Sequence, residues 1–329
     1  MRLRLTDPEK QRLVHRATDN PEAYQLYLKG RGYLSKLTVD NVQKATDQFQ
    51  QAIQRDPNFA LAYAGLADCY SFSGRFSEAK SAVMDAIRLD DSLGEAHASL
   101  GFTKWISDWD WKGAEAEYRR GIELNPNSPL AHHRYALLLA TSGRHDEAIR
   151  EARRAQQIDP VSPDISVAPA QALVVARKYD EAEQELQKTL DMEPGFQTAL
   201  ALLAAVYEAT NRYKEAIDKY QEIIDKNAAI PRVTYNMKAP IARVYARWGK
   251  QAEALKMLSE ISKRPEVLPY VIAQIHAALG DRERAREWLE KAYQSRDVSL
   301  LGLKEDPTFD DLRREPSFVE LLRRVGLEP

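Results

Sequence analysis

Apolar residues fall three and four positions apart along most of the chain, the spacing that lines one face of an α-helix. Ala60 to Leu89 shows the form. Tyr63, Leu66, Ala67 and Tyr70 make one apolar stripe, Ser73-Gly74-Arg75 breaks it, and Ala79 and Ala86 start another. Similar breaks stand at Ser142-Gly143-Arg144 and Asn211-Arg212. A left-handed residue at such a point ends the first helix of a pair. The pattern therefore predicts paired helices and no strands.

The second helix of each pair carries a small residue, a bulky one four later, a small one seven later and often proline at twelve. Ala45, Phe49, Ala52 and Pro57 fit, as do Ala114, Tyr118, Gly121 and Pro126. Ala148, Ala152, Ala155 and Pro160 fit with a small second member, and Ala79, Ala182, Ala216, Ala254 and Ala285 open weaker copies. From Ala45 to Ala285 the intervals are 34, 35, 34, 34, 34, 38 and 31 residues. A period of this length marks stacked helical units. Small residues let neighbouring helices approach, and proline turns the chain into the next unit because it cannot continue a helix.

Departures from the period predict local irregularity. Pro169 falls inside the first helix of the fifth unit, which should be shortened or kinked. Pro231 and Pro240, with a four-residue insertion, should disturb the start of the seventh. Pro265 and Pro269 should cut the next connection short.

The pattern resembles the tetratricopeptide repeat, most closely over Ala60–Asp91. The resemblance implies an all-α, right-handed α-solenoid of about eight helix-turn-helix units. Residues 1–20 would be an N-terminal junction, 21–297 the array and 298–329 a C-terminal cap. Phe309, Leu312, Phe318 and Leu321 have helical spacing, which places a capping helix near Ser317–Val325. The amino end, LRLTDPEKQRLVHRATDNPEAYQLYLKGRGYL, resembles a junction in large bacterial signalling proteins. There a repeat array follows a serine/threonine kinase, a winged-helix DNA-binding domain or an adenylate cyclase. ATDQFQQAIQRDPNFALAYAGLADCY and the end, DPTFDDLRREPSFVELLRRVGL, continue that likeness. No kinase loop, cyclase metal pair or winged-helix pattern lies in these residues.

Composition narrows the chemistry. A net charge of -2 and a pI near 6.4 argue against a nucleic-acid surface. The single cysteine, Cys69, allows no internal disulfide and no cysteine zinc cluster. The longest apolar run, Ala199 to Tyr207, has nine residues, against the roughly 20 a membrane span needs. His132 and His133 point about 100° apart on a helix and make a poor metal pair. Lys29-Gly30-Arg31-Gly32 has no strand before it and fills a small-residue slot, so it is no phosphate loop. No acid–base pair or activated nucleophile stands out. The expectation is a chain that is not an enzyme and needs no cofactor or metal.

Trp109 and Trp111 fall in a turn one residue longer than its neighbours and without glycine. They are expected to pack on the helix ends in place of the glycine turn; a partner contact at the array's edge is the competing reading. Trp105, on the preceding helix, takes a position that faces the concave groove in the resembled family. The same projection names Asp68, Phe72, Phe102, His133, Leu137, Gln171, Val174, Glu208, Arg243 and Arg247 as groove residues, aromatic and apolar in the middle and basic toward the end. The Lys/Asn/Arg carboxylate clamp of chaperone-binding arrays is absent. A protein or peptide ligand with apolar anchors suits such a groove. The expected function is a non-catalytic interaction scaffold, the sensory or recruitment part of a signalling protein. A spacer, an oligomerisation array or a small-molecule sensor is the alternative. The array would be cytoplasmic if free-standing, and periplasmic if a membrane span precedes it.

Overall fold

The structure is a computed structural model that describes residues 18–35, 39–228, 230–264 and 267–328. His15, Pro265 and most of the expected junction segment lie outside the described residues. Among the described residues there are eighteen α-helices and no strand. The chain forms two compact units, one ending at Ala131 and the next beginning at His132.

Unit 1 holds three helix pairs: α1 (Pro21–Leu34) with α2 (Val39–Arg55), α3 (Ala60–Phe72) with α4 (Phe76–Leu89), and α5 (Gly94–Thr103) with α6 (Trp111–Leu124). The next helix, α7 (Pro129–Thr141), carries the boundary between the units. Unit 2 continues with α8 (His145–Ile158), then α9 (Pro163–Ser166) and α10 (Ala168–Val175) with α11 (Tyr179–Met192). Three more pairs follow: α12 (Gln197–Ala209) with α13 (Tyr213–Lys226), α14 (Pro231–Arg247) with α15 (Gln251–Ile261), and α16 (Pro269–Ala278) with α17 (Arg282–Gln294). Two 3₁₀ turns, Val298–Gly302 and Pro307–Leu312, lead to α18 (Pro316–Arg324). This is the expected count of pairs, with the capping helix within one residue of its expected start.

Small residues do the packing the period requires. Phe49 on α2 is fully buried, and its ring lies where a Cβ on Gly30 or Gly65 would stand. Between α5 and α6 the backbones themselves touch. A Cβ on Gly94 would come within 2.7 Å of the Gly121 carbonyl oxygen, and one on Gly121 within 2.8 Å of the Gly94 oxygen. Links between pairs are Asx turns: the side chains of Asp56, Asp90 and Asn125 accept the backbone N–H two residues on.

Within the pairs the turn residue has positive φ. Gly74, Gly143, Gly249 and Gly280 fill that place, but so do Trp109 at φ 56°, Arg177 at 58° and Asn211 at 63°. The residue that makes the third turn long is absorbed as a five-residue π-helical turn, Lys104–Asp108, at the end of α5. Single π turns are how an α-helix takes in one extra residue. Trp109 then takes the glycine's place, buried to 8% exposure, while Trp111 is the half-buried first residue of α6.

Pro169 acts as expected. Its ring and missing N–H break the fifth first helix into α9 and α10, with Val167 between them. The seventh unit departs from expectation. The four extra residues extend α14 by one turn, to 17 residues, with Pro240 inside. Tyr235 and Met237 from that stretch pack partly buried against the cores around Ile272 and Tyr220.

Candidate functional site

First helices of successive pairs pack side by side, α1 with α3 and α3 with α5 in unit 1, α10 with α12 and α14 with α16 in unit 2, and the face they share is called the inner face. In unit 1 that face follows helical spacing. Tyr24, Tyr27 and Arg31 come from α1, Leu61, Ala64, Asp68 and Phe72 from α3, and Glu95, Ala98 and Phe102 from α5. Several of these line a small cavity of about 110 Å³ with Ser99 and Asn125. Asp68 is buried and accepts a hydrogen bond from Ser99 Oγ at 2.7 Å. Glu95 accepts one from Asn125 Nδ2 at 2.9 Å. Arg31 touches the Tyr27 hydroxyl at 3.4 Å and has no ion pair within 4 Å among the described residues. Phe72 and Tyr24 are each 44% exposed.

Trp105 does not share that openness. It is 6% exposed, with Phe102 at 6.4 Å on one side and Trp111 edge-on at 6.0 Å on the other. Phe72 leans on Phe102 at 5.7 Å, so Phe72 is the solvent-facing end of the aromatic row.

The inner face of unit 2 is built differently, because the chain's own C-terminal segment lies across it. Asp306 accepts hydrogen bonds from the Tyr270 hydroxyl at 2.7 Å and Gln274 Nε2 at 2.6 Å. Glu305 meets His145 Nε2 at 3.0 Å, and Arg177 grips both carboxylate oxygens of Asp310 at 2.8 Å. Phe309 is fully buried between Tyr270 and Phe318, at 5.5 and 6.0 Å. Burial and the neighbouring Asp306 both push the Tyr270 phenol well above its ordinary range, so it stays a donor.

Of the predicted groove residues of unit 2, Val174, Glu208, Arg243 and Arg247 line a cavity together with residues 302 and 305–308 of this segment. His133 Nε2 donates to Gln171 Oε1 at 2.7 Å, and burial lowers the imidazole pKa to about 4. Leu137 and Val174 are half-buried. Glu208 is buried and takes a two-pronged bond from Arg243, at 2.9 and 2.7 Å. Arg247 reaches the same carboxylate only at 3.6 Å. The basic end expected from sequence is therefore largely neutralised: Arg243 spends its charge on Glu208.

Sequence reasoning missed two sets of residues. The α1 stripe of Tyr24, Tyr27 and Arg31 was left out because the projection began at the second unit, although its spacing is plain. The partners His145, Arg177, Tyr270 and Gln274 were missed because the acidic run at Glu305–Asp311 gives no hint of where it folds. Among the described residues no group of three or more His, Cys, Asp and Glu is placed to hold a metal ion. None of their helices is long and apolar enough to cross a membrane. Cys69 is buried, which pushes its thiol up to about 12, the inert state of a core cysteine.

Stacked helix pairs with a shared inner face define an α-solenoid. Models of the tetratricopeptide repeat match residues 38–100, 110–163, 168–229 and 270–297, together more than half of the chain. The chain belongs to the tetratricopeptide-repeat family. Among solved structures it is similar to the Cut9–Hcn1 hetero-tetramer of the APC/C, with a TM-score of 0.67 and 14% identity over 96% of this chain and 59% of that one. Human IFIT1, solved as a dimer with PPP-AAAA, gives 0.55 and 16% over 78% and 69%. PilF of Pseudomonas aeruginosa gives 0.48 and 18% over 68% and 99%. At these identities the likeness is one of fold.

Proposed function

We propose that the chain is a non-catalytic recruitment module that holds a peptide or protein segment on the inner face of unit 1. The observation that carries this reading is the exposure of Phe72 and Tyr24 on the first helices of unit 1, each 44% exposed. Large exposed aromatic side chains are enriched in interface hot spots. The expected groove residues divide under this reading. Phe72 and Phe102 would anchor the ligand, Asp68 and Trp105 would support them from below, and the unit 2 residues from His133 to Arg247 would take no part in holding it. The likeness of the amino end to signalling-protein junctions supports a sensory or recruiting role beside an upstream effector.

Phage-displayed peptides selected on the full chain test the proposal. Phe72→Ala should weaken the selected peptides by about 2 kcal/mol, the usual hot-spot scale, and leave the melting temperature unchanged. Peptides that bind Phe72→Ala, Tyr24→Ala and Arg31→Ala as tightly as the parent would overturn it.

A further inference from the structure

The C-terminal segment covers the inner face of unit 2 without filling it. A cavity of about 230 Å³ remains between α10, α12, α14, α16 and residues Gly302–Thr308. That is room for a small molecule rather than a single water.

Two opposite charges face this cavity without a hydrogen-bonded side-chain partner of opposite sign among the described residues. Arg247 makes no hydrogen bond among the described residues. Its nearest carboxylate oxygen, Glu208 Oε1 at 3.6 Å, already accepts from Arg243 Nε at 2.9 Å. Across from it, the Asp306 carboxylate has no ion pair within 4 Å among the described residues, though Arg313 Nη2 donates to the Asp306 backbone carbonyl at 3.1 Å and Arg243 acts on the carboxylate from further off. Its hydrogen bonds come from neutral donors: the Tyr270 hydroxyl, the Gln274 amide and the Thr308 backbone N–H. Arg247, Asp306 and the Tyr179 ring all line this one cavity. One part of the wall is aliphatic, with Val174, Val175, Ala205, Ala209 and Pro307, and Thr141, Thr308 and Glu305 also line it.

We propose that this cavity binds an aliphatic α-amino acid as its zwitterion. The ligand carboxylate meets Arg247, the ammonium meets Asp306, and the side chain lies on the Val174–Ala205 wall. Charge balance selects the zwitterion. A plain carboxylate would add a negative charge beside Glu208, Glu305 and Asp306, which already outnumber Arg243 and Arg247. A plain amine would face Arg247. A zwitterion leaves the total unchanged and pairs both idle charges. Because Arg247 is on α14 and Asp306 on the C-terminal segment, the bound ligand ties that segment to the inner face and stabilises the unit by mass action. The site goes beyond the peptide-binding reading and uses none of its residues.

The test is calorimetric titration and thermal melting of the full chain with L-leucine, L-leucinamide and 4-methylpentanoate. Leucine should titrate and raise the melting temperature. Leucinamide lacks the carboxylate and 4-methylpentanoate the ammonium, so each should bind at least about ten-fold more weakly. Arg247→Met should lose the leucine response by at least about ten-fold while keeping the parent's circular dichroism. If that variant does not fold, the three-ligand comparison on the parent still decides. Equal binding of 4-methylpentanoate, unchanged leucine binding by Arg247→Met, or no leucine titration up to about 10 mM would each overturn the site. The Phe72→Ala test reads the other unit and is untouched by any of these results.

Discussion

The same helix-pair construction gives opposite inner faces in the two units. In unit 1 no segment of the described residues crosses that face, and Tyr24 and Phe72 are each 44% exposed. In unit 2 the face carries the chain's own Glu305–Asp310, held by His145, Arg177, Tyr270 and Gln274. A repeat stack always exposes its inner row, since stacking uses only the contacts between neighbours. What covers that row is thus a separate property of the sequence, and among the described residues only the row of unit 2 is covered.

The largest expected effect breaks that contrast at its hydrophobic anchor. Phe309 is fully buried, so Phe309→Ala should cost about 3–5 kcal/mol. Amide hydrogen exchange should show lost protection in α16, α17 and α18 with α1 to α4 unchanged. A loss shared evenly by both units would mean that the segment is not a local part of unit 2.

Acid should also separate the units. Burial lowers His133 to about 4, far below the usual histidine value, so the unfolded chain takes up its proton first. The stability from neutral His133 is complete above about pH 6.5 and is lost as pH falls from there toward 4. Asp164 works the other way. Burial, with Glu193 nearby, raises it to about 6, so its charged form is a cost at neutral pH that fades as pH falls below 6. Both groups belong to unit 2. Asp164→Asn should therefore stabilise the protein at pH 7 by roughly 1–3 kcal/mol, at about 1.4 kcal/mol per pKa unit. It should also steepen the loss between pH 6.5 and 4.5. Urea unfolding at several pH values measures both, and parallel pH profiles for parent and variant would contradict the assignment.

The repeat was legible because it is periodic. The alanines at the start of each second helix, the glycine turns and the break at Pro169 all express local rules a single sequence carries. The extra residue before Trp109 was visible too, but its absorption into a π turn was not, since a longer loop satisfies the same count. The inner face was legible only in part. Asp68 and Glu208 were named as groove residues from their positions, yet burial and neighbours spend them within the fold. Nothing local marks Asp306 as the partner of Tyr270 or Asp310 as that of Arg177, because those contacts join distant parts of the chain. Long-range charge pairing has no period to read.

Arg177 sharpens the comparison most finely. It stands where other repeats place glycine, at φ 58°, a left-handed backbone that costs a side-chain-bearing residue roughly 1–2 kcal/mol. Its guanidinium in turn holds Asp310 with two bonds of 2.8 Å, and both side chains are about two-fifths exposed. An exposed pair of this kind contributes under about 1 kcal/mol. The strain and the anchor are thus of similar size, and two substitutions separate them. Arg177→Ala keeps the strained backbone and loses the anchor, so it should destabilise slightly, and less at high salt than at low salt. Arg177→Gly loses the anchor but relieves the strain, so it should match or exceed the parent. The expected gap between the two is about 1 kcal/mol in urea unfolding. If glycine proves as damaging as alanine, the left-handed backbone at 177 holds no strain that glycine can relieve, and the loss in both variants is that of the grip on Asp310.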